Sequence, residues 1–274
     1  MPLFTAPRLY GIIGNPLGHS LSPAIHTTAF RALGIPGVLL PWTVPPEKLA
    51  DFIQAVRLLD IQGCCVTIPH KQSIIPLLDG ISDLARTTGA VNTLYRRDNL
   101  ILGDNTDVSG FIEPLLDQSL SPDTPTLLLG AGGAARAVVT GLARLGQKNI
   151  RVTSPNPERA NRLAREFSLE ALAWEDRLSV KAGIVINATP LGMLGEHVGE
   201  SPVGEEFFRK NTGTAYDLVY RPAETVFIRQ AREAGWRCIG GFAMFVSQAD
   251  QQFLTWTGEH LPEEARHLAA ELLV

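Results

Sequence analysis

"TLLLGAGGAARAVV", residues 126–139, runs from an apolar strand pattern into a helical one through a glycine-rich turn. Gly130, Gly132 and Ala135 stand in G-x-G-x-x-A spacing. The glycines permit a tight turn and close backbone approach. The helix start then offers free N–H groups and the positive end of its dipole to a pyrophosphate. The same spacing occurs in strand–helix turns that hold nothing. Here a strand pattern precedes it, a helix follows and a further strand comes about 20 residues on, which is the setting of a dinucleotide-binding unit.

Working outward, the second part of the chain alternates regularly. Strand patterns at 126–130, 149–154, 183–189, 213–219 and 236–241 are interleaved with helical ones reaching to 145 and at 157–167 and 222–234. Two helical stretches, about 244–256 and 262–273, close the chain. Before the turn-rich break "LSPDTP" (120–125) lies another series: strands at 9–14, 38–44 and 64–68, helices at about 23–33 and 46–58. A hairpin follows, "AVNTLYRR" and "LILGD" around Asp98-Asn99, then a helix from Asp107 to about 118. This βαβ rhythm implies parallel sheets with right-handed crossovers and an α/β chain of two domains.

The 274 residues are 45% hydrophobic and 19% charged, with a net charge of −4. That composition supports a sizeable core and carries no basic excess to hold a nucleic-acid backbone. No apolar run approaches the roughly 20 residues of a membrane span. Of the three cysteines, Cys64, Cys65 and Cys238, the two adjacent ones sit in a buried strand pattern and read as small core residues of a reducing compartment. No Cys or His spacing resembles a zinc site. With no basic, apolar leader at the N-terminus, a cytoplasmic protein without a metal is expected.

The strand following the glycine-rich turn ends near Ser154, where a fold preferring NAD places an acid against the ribose hydroxyls. No acid occurs from 130 to 157, and Arg159 follows, a cation for a 2′-phosphate. Four polar clusters lie at strand ends or loops of the first part: "GNPLGHSLSP" (14–23), "TIPHK" (67–71), "GAVNTL" (89–94) and "GDNTDVSG" (103–110). Ligands of open α/β sheets bind beyond the carboxyl ends of strands, so three of these clusters can share one crevice. Taken singly, each admits a plainer reading. Ser22 can cap a helix begun by Pro23, Asn92 and Asp107 can form turns, and Lys71 can be solvated.

Taken together, the clusters resemble the shikimate dehydrogenase family over nearly the whole chain. "GNPLGHSLSPAIH", "VTIPHK", "GAVNTL", "GDNTD", "GAGGAARA", "NATPLGM", "YDLVYRP" and "GFAMFVSQADQQF" occur in the family's order. The resemblance implies an N-terminal mixed α/β substrate domain (1–107, completed by 242–274) and a Rossmann-like dinucleotide-binding domain (108–241). It implies NADPH-dependent reduction of 3-dehydroshikimate to shikimate in aromatic amino acid biosynthesis, by a monomer or homodimer.

By motif position, Lys71 and Asp107 are the catalytic pair. Ser20 and Ser22 take the substrate carboxylate, and Thr67, Asn92, Asp107 and Gln248 the ring hydroxyls, with Tyr220 nearby. Gly130, Ala131, Gly132, Gly133 and Ala134 face the pyrophosphate, and Ser154, Asn156, Arg159, Thr189 and Gly241 complete the cofactor set. The chain departs from the family at Thr27 and Cys65, where Asn is usual, and at Ser154-Pro155-Asn156, where N-R-T is frequent. NAD, and activity on quinate, therefore stay open as alternatives, as does a catalytically silent sensor on the same fold.

Overall fold

The computed structural model describes residues 6–17, 20–118 and 120–273. The chain forms two compact units, one reaching to Asp107 and taking in Val246–Leu272, the other spanning Val108–Phe245.

The first unit holds β1 (Arg8–Gly14), α1 (Ser22–Ala32), β2 (Gly37–Thr43), α2 (Leu49–Leu58), β3 (Gly63–Val66), β4 (Gly80–Ile81), α3 (Asp83–Thr88), β5 (Thr93–Arg97) and β6 (Leu100–Asp104). Its sheet runs β2-β1-β3-β5-β6-β4. Pairing is parallel except at β5, which lies antiparallel to both neighbours and forms the expected hairpin with β6. The cause is the tight Asp98-Asn99 connection, with Asp98 at φ 56°, since only antiparallel strands can be joined so briefly. The direction of β5 matters for function: its first residue, Thr93, pairs with Cys65 and Asp104, so Asn92 arrives where β3 and β6 end.

β3 is buried throughout, as a strand covered on both faces must be. It stops at Val66 rather than 68, because Pro69 has no N–H for the ladder and His70 N–H closes a turn onto the Thr67 carbonyl at 2.9 Å. Ile13, Ile53, Val56, Cys64 and Leu94 share the core on one side of this sheet. Trp256 belongs to the other: its Nε1 donates to the Leu94 carbonyl at 2.8 Å. A Cβ at Gly63 would stand 2.3 Å from that nitrogen, so the indole requires glycine there.

α4 (Asp107–Ile112) leads into the second unit, built from β7 (Thr126–Leu129), α5 (Gly133–Arg144), β8 (Ile150–Thr153), α6 (Pro157–Phe167), β9 (Glu170–Leu172), β10 (Ile184–Asn187), α7 (Glu205–Lys210), β11 (Thr214–Asp217), α8 (Val226–Glu233) and β12 (Arg237–Ile239). α9 (Gly241–Thr257) carries the chain back to the first unit, where α10 (Glu263–Glu271) packs on α1. The sheet order is β9-β8-β7-β10-β11-β12 with all pairs parallel, the 3-2-1-4-5-6 order of a doubly wound sheet. Its core gathers Leu128, Val138, Ile186 and Met244, with Phe111 stacked on Tyr216 at 5.1 Å.

Two helices differ from expectation for local reasons. α4 ends at Ile112, not 118, because Pro114 cannot donate within a helix. α8 starts at Val226, not 222, because Thr225 Oγ1 accepts from Ile228 N–H and caps it there. The short elements α3, α7, β4 and β9 add to the pattern read from the sequence. No helix among the described residues is long and apolar enough to cross a membrane.

Candidate active site

In the first unit the strand order reverses between β1 and β3, so the loops after them diverge and leave a crevice at their carboxyl ends. Lys71 and Asp107 meet there. Lys71 Nζ donates to Asp107 Oδ2 at 2.6 Å, with side chains only 14% and 7% exposed. The Val91 N–H donates to the Lys71 carbonyl at 2.7 Å, which fixes the turn carrying the lysine.

Asn92 holds the other carboxylate oxygen. Its Nδ2 donates to Asp107 Oδ1 at 2.8 Å and to Thr106 Oγ1 at 2.9 Å. Its Oδ1 accepts from Thr93 Oγ1 and the Thr106 N–H, both at 2.8 Å. A carboxamide has two donor hydrogens and two lone pairs on oxygen, so Asn92 is fully occupied inside the protein. Asn92 therefore holds Asp107 at the edge where its contact with a ring hydroxyl is expected. Gln248 Oε1 lies at 3.4 Å from the same Nδ2, a weak third contact.

Ser22 is buried and lies inside α1, whose N-cap is Leu21, with no side-chain cap. The capping explanation therefore falls. Its N–H donates to Ser20 Oγ at 3.3 Å, and a cavity of about 350 Å³ lined by Leu17, Ser20, Pro23, Pro41 and Thr43 opens beside Ser20. Thr67 follows β3 directly, half-buried at the same edge. Of the cluster 14–23, Gly18 and His19 lie outside the described residues. His70 points away from Lys71: it is fully buried, with Nε2 bonded to the Val44 carbonyl at 2.7 Å.

Beneath this edge lie Gln252, which escaped the sequence reading, and Cys65, which it marked only as a departure. Gln252, on α9, donates through Nε2 to the Asn92 carbonyl and Thr93 Oγ1, both at 3.1 Å. Cys65 donates from Sγ to Gln252 Oε1 at 3.2 Å. Burial pushes the Cys65 thiol well up, so it stays protonated and able to donate. Where Asn is usual in the family, Cys65 thus supports Asn92 from below through Gln252. At the other departure, Thr27 Oγ1 accepts from the Leu39 N–H at 3.2 Å and ties α1 to β2. Tyr220 belongs to the second unit, stacked on Phe245 at 4.5 Å.

In the second unit the reversal lies between β7 and β10. Gly130 leaves β7 at φ 111°, and a Cβ there would stand 2.7 Å from the Ala188 carbonyl oxygen. Only glycine fits. A Cβ at Gly132 would instead project into open space, over the start of α5, which no side chain caps. Ala131, Gly132, Gly133 and Ala134 are half-buried around that helix end. A turn so stripped of side chains fits the close approach of a pyrophosphate.

At the end of β8, Ser154 Oγ accepts from the Asn156 N–H at 3.2 Å, and Asn156 Oδ1 caps α6 by accepting from the Arg159 N–H at 3.0 Å. Asn156 is therefore first a helix cap. Arg159 is exposed. Thr189 follows β10, its Oγ1 donating to Asn187 Oδ1 at 2.6 Å. Gly241 starts α9 under the Leu218 and Val219 carbonyls, which a Cβ would approach to 2.5 and 2.6 Å.

Comparison with known proteins agrees with both units. A family model described as the shikimate dehydrogenase substrate binding domain matches residues 12–94, and one described as NADP oxidoreductase, coenzyme F420-dependent, matches 126–206. The chain is 54% identical over 270 residues to the shikimate dehydrogenase (NADP(+)) of Pelobacter propionicus, covering 98% of each. It is 47% identical over 275 residues to that of Oleidesulfovibrio alaskensis, again covering 98% of each. Among solved structures, shikimate 5-dehydrogenase from Thermus thermophilus in complex with NADP(H) and shikimate superposes with a TM-score of 0.85. The two are 36% identical, over 97% of this chain and 100% of that one.

Proposed function

The chain belongs to the shikimate dehydrogenase family, and we propose that it catalyses the reversible NADPH-dependent reduction of 3-dehydroshikimate to shikimate, a step of aromatic biosynthesis. The observation that carries the reading is the Lys71–Asp107–Asn92 cluster at the carboxyl edge of the first unit.

NADPH supplies the hydride. As the carbonyl carbon gains it, negative charge builds on oxygen, and a proton must arrive there. Lys71 donates that proton from its ammonium, and in the reverse direction its amine takes the proton from the substrate hydroxyl. Asp107 keeps the nitrogen aimed through a charge-assisted hydrogen bond and, held by Asn92, does not swing with it. Ser20 and Ser22 take the substrate carboxylate, with Thr67, Asn92, Asp107 and Gln248 directed at ring hydroxyls. The backbone from Gly130 to Ala134 receives the pyrophosphate, with Thr189 and Gly241 along the same nucleotide. Arg159 and Ser154 select the 2′-phosphate, and Asn156 fixes the start of the helix that carries Arg159. A cytoplasmic monomer or homodimer fits this chemistry.

The test is oxidation of shikimate and of quinate, each with NADP and with NAD. Shikimate with NADP is expected to be the best pair. A preference for NAD, or for quinate, would move the chain to a neighbouring specificity. No turnover of any pair would favour a silent sensor.

A further inference from the structure

The end of β11 carries a carboxyl group for which the reaction has no direct use. Asp217 is fully buried, and its oxygens collect three donors from three segments. The Val219 N–H and Asn187 Nδ2 both donate to Oδ1 at 3.0 Å, and Thr225 Oγ1 donates to Oδ2 at 2.5 Å. Asn187, which faces Asp217 across the β10–β11 ladder, is fully buried too. Its Oδ1 accepts from the Thr189 N–H at 3.0 Å and from Thr189 Oγ1 at 2.6 Å. Its Nδ2 also reaches the Leu191 carbonyl at 3.0 Å.

The bonds therefore run without a break from the cap of α8, through the carboxylate and the amide, into the segment after β10. That segment is the wall against which Gly130 turns, since the Ala188 carbonyl and the Thr189 nitrogen are the atoms a Cβ at Gly130 would strike. Burying a carboxylate is costly, and apolar side chains of the same volume would fill the space more cheaply. The cost is visible: burial pushes the Asp217 carboxyl up to about 7, against the opposing pull of Thr225, Val219 and Asn187. Such a network is worth keeping where it fixes a geometry that packing alone leaves loose. Neither Asp217 nor Asn187 reaches the surface, so neither touches a ligand; they act through Thr189 and the backbone around it.

We propose that Asp217, with Asn187 and Thr225, is a positioning residue for the dinucleotide, locking the segment 188–191 against the glycine-rich turn at the crevice between β7 and β10. The proposal rests on reading the second unit as the NADP site.

Three variants test it: Asp217→Asn and Thr225→Val, which loosen the network, and Thr225→Ser, which keeps the hydroxyl. NADPH affinity is read by the fluorescence of the bound nicotinamide, shikimate affinity by calorimetry on the cofactor-free protein, and folding by the thermal midpoint. NADPH binding is expected to weaken about tenfold or more in the first two variants, the scale of a lost charge-assisted hydrogen bond. Thr225→Ser is expected to stay within about twofold of wild type, a difference well under 1 kcal/mol. Shikimate affinity is expected to hold in all three. Unchanged NADPH affinity in Asp217→Asn and Thr225→Val overturns the proposal alone. Loss of both ligands together with the folded state in both of those variants reduces the network to scaffolding and also overturns it. A wild-type protein that binds no NADPH overturns the proposal together with the reading beneath it.

Discussion

At the carboxyl ends of β1, β3 and β6 the candidate site is made of side chains: the Lys71 amine, the Asp107 carboxylate, the serines of the first loop. At the ends of β7 and β10 the working surface is bare backbone, glycine at 130 and 132 and an uncapped helix start. Both edges arise from the same topological event, a reversal of strand order. They differ because their ligands do. A small hydroxy acid must be told from its isomers and must exchange a proton, which takes titratable and directional side chains. A pyrophosphate needs several N–H donors at close range, and side chains would only stand in the way. Beneath each edge, however, lies a buried polar layer: Asn92, Thr106 and Gln252 under the first, Asn187 and Asp217 under the second.

Removing the ammonium should break the comparison most visibly. Lys71→Ala is expected to lower kcat by about 10²-fold or more, the scale of lost acid–base help, with KM nearly unchanged. Steady-state kinetics with shikimate check this, and a normal kcat with a raised KM would make Lys71 a binding group. Next in size is the double variant Ser20→Ala with Ser22→Ala. It should weaken shikimate by about tenfold to a hundredfold through lost hydrogen bonds to a charged group. An analogue lacking the carboxylate should be affected far less, and equal losses for the two ligands would contradict the assignment. At the backbone-built edge, Arg159 is exposed, so solvent would screen its contact with a phosphate. Arg159→Ala is expected to cut the NADP-to-NAD ratio of kcat/KM by about tenfold. An unchanged ratio would pass the selection to Ser154 and the backbone.

The smallest contrast is in stability. Asp217, raised to about 7 by burial, favours the folded state when protonated, so its contribution is present below its unfolded value near 4 and is lost as pH rises through 7. His26 in the first unit, lowered to about 4 by burial, does the reverse: its contribution is present above about 6.5 and is lost as pH falls through 4. Between pH 4 and 7 the two partly cancel. Asp217→Asn removes one of them, so its stability relative to wild type should improve from pH 5 to pH 8 in denaturant unfolding. A difference independent of pH would mean that the carboxyl is not desolvated.

Much of this was legible in the sequence, because the signals were local. Apolar runs located nearly every long strand, and the G-x-G-x-x-A turn located the reversal point of the second sheet. Lys71 and Asp107 stood in separate motifs, paired by the family resemblance before the fold brought them to 2.6 Å. What lay out of sight shares a cause. The partners of Asn92, Thr93, Thr106 and Asp107, depend on the reversed direction of β5. Gln252 lies 160 residues from Asn92 in the chain, and no pattern announces a contact at that range. Asp217 and Asn187 stood in quoted motifs, yet their pairing is a matter of strand register. Ser82 and Gly89, by contrast, cap α3 in plain view, and that helix could have been found.

The separation of the two edges is tested most directly by equilibrium binding of NADPH and of shikimate, each alone, to Lys71→Ala and Gly130→Ala. Gly130 combines a positive φ with backbone 2.7 Å from the added Cβ, so alanine there must displace the turn. Lys71→Ala is expected to bind NADPH as wild type does. Gly130→Ala is expected to lose NADPH affinity by about tenfold or more while binding shikimate normally. Retained NADPH binding in Gly130→Ala, or lost NADPH binding in Lys71→Ala, would contradict the division between an edge that does chemistry with side chains and one that holds a nucleotide with backbone.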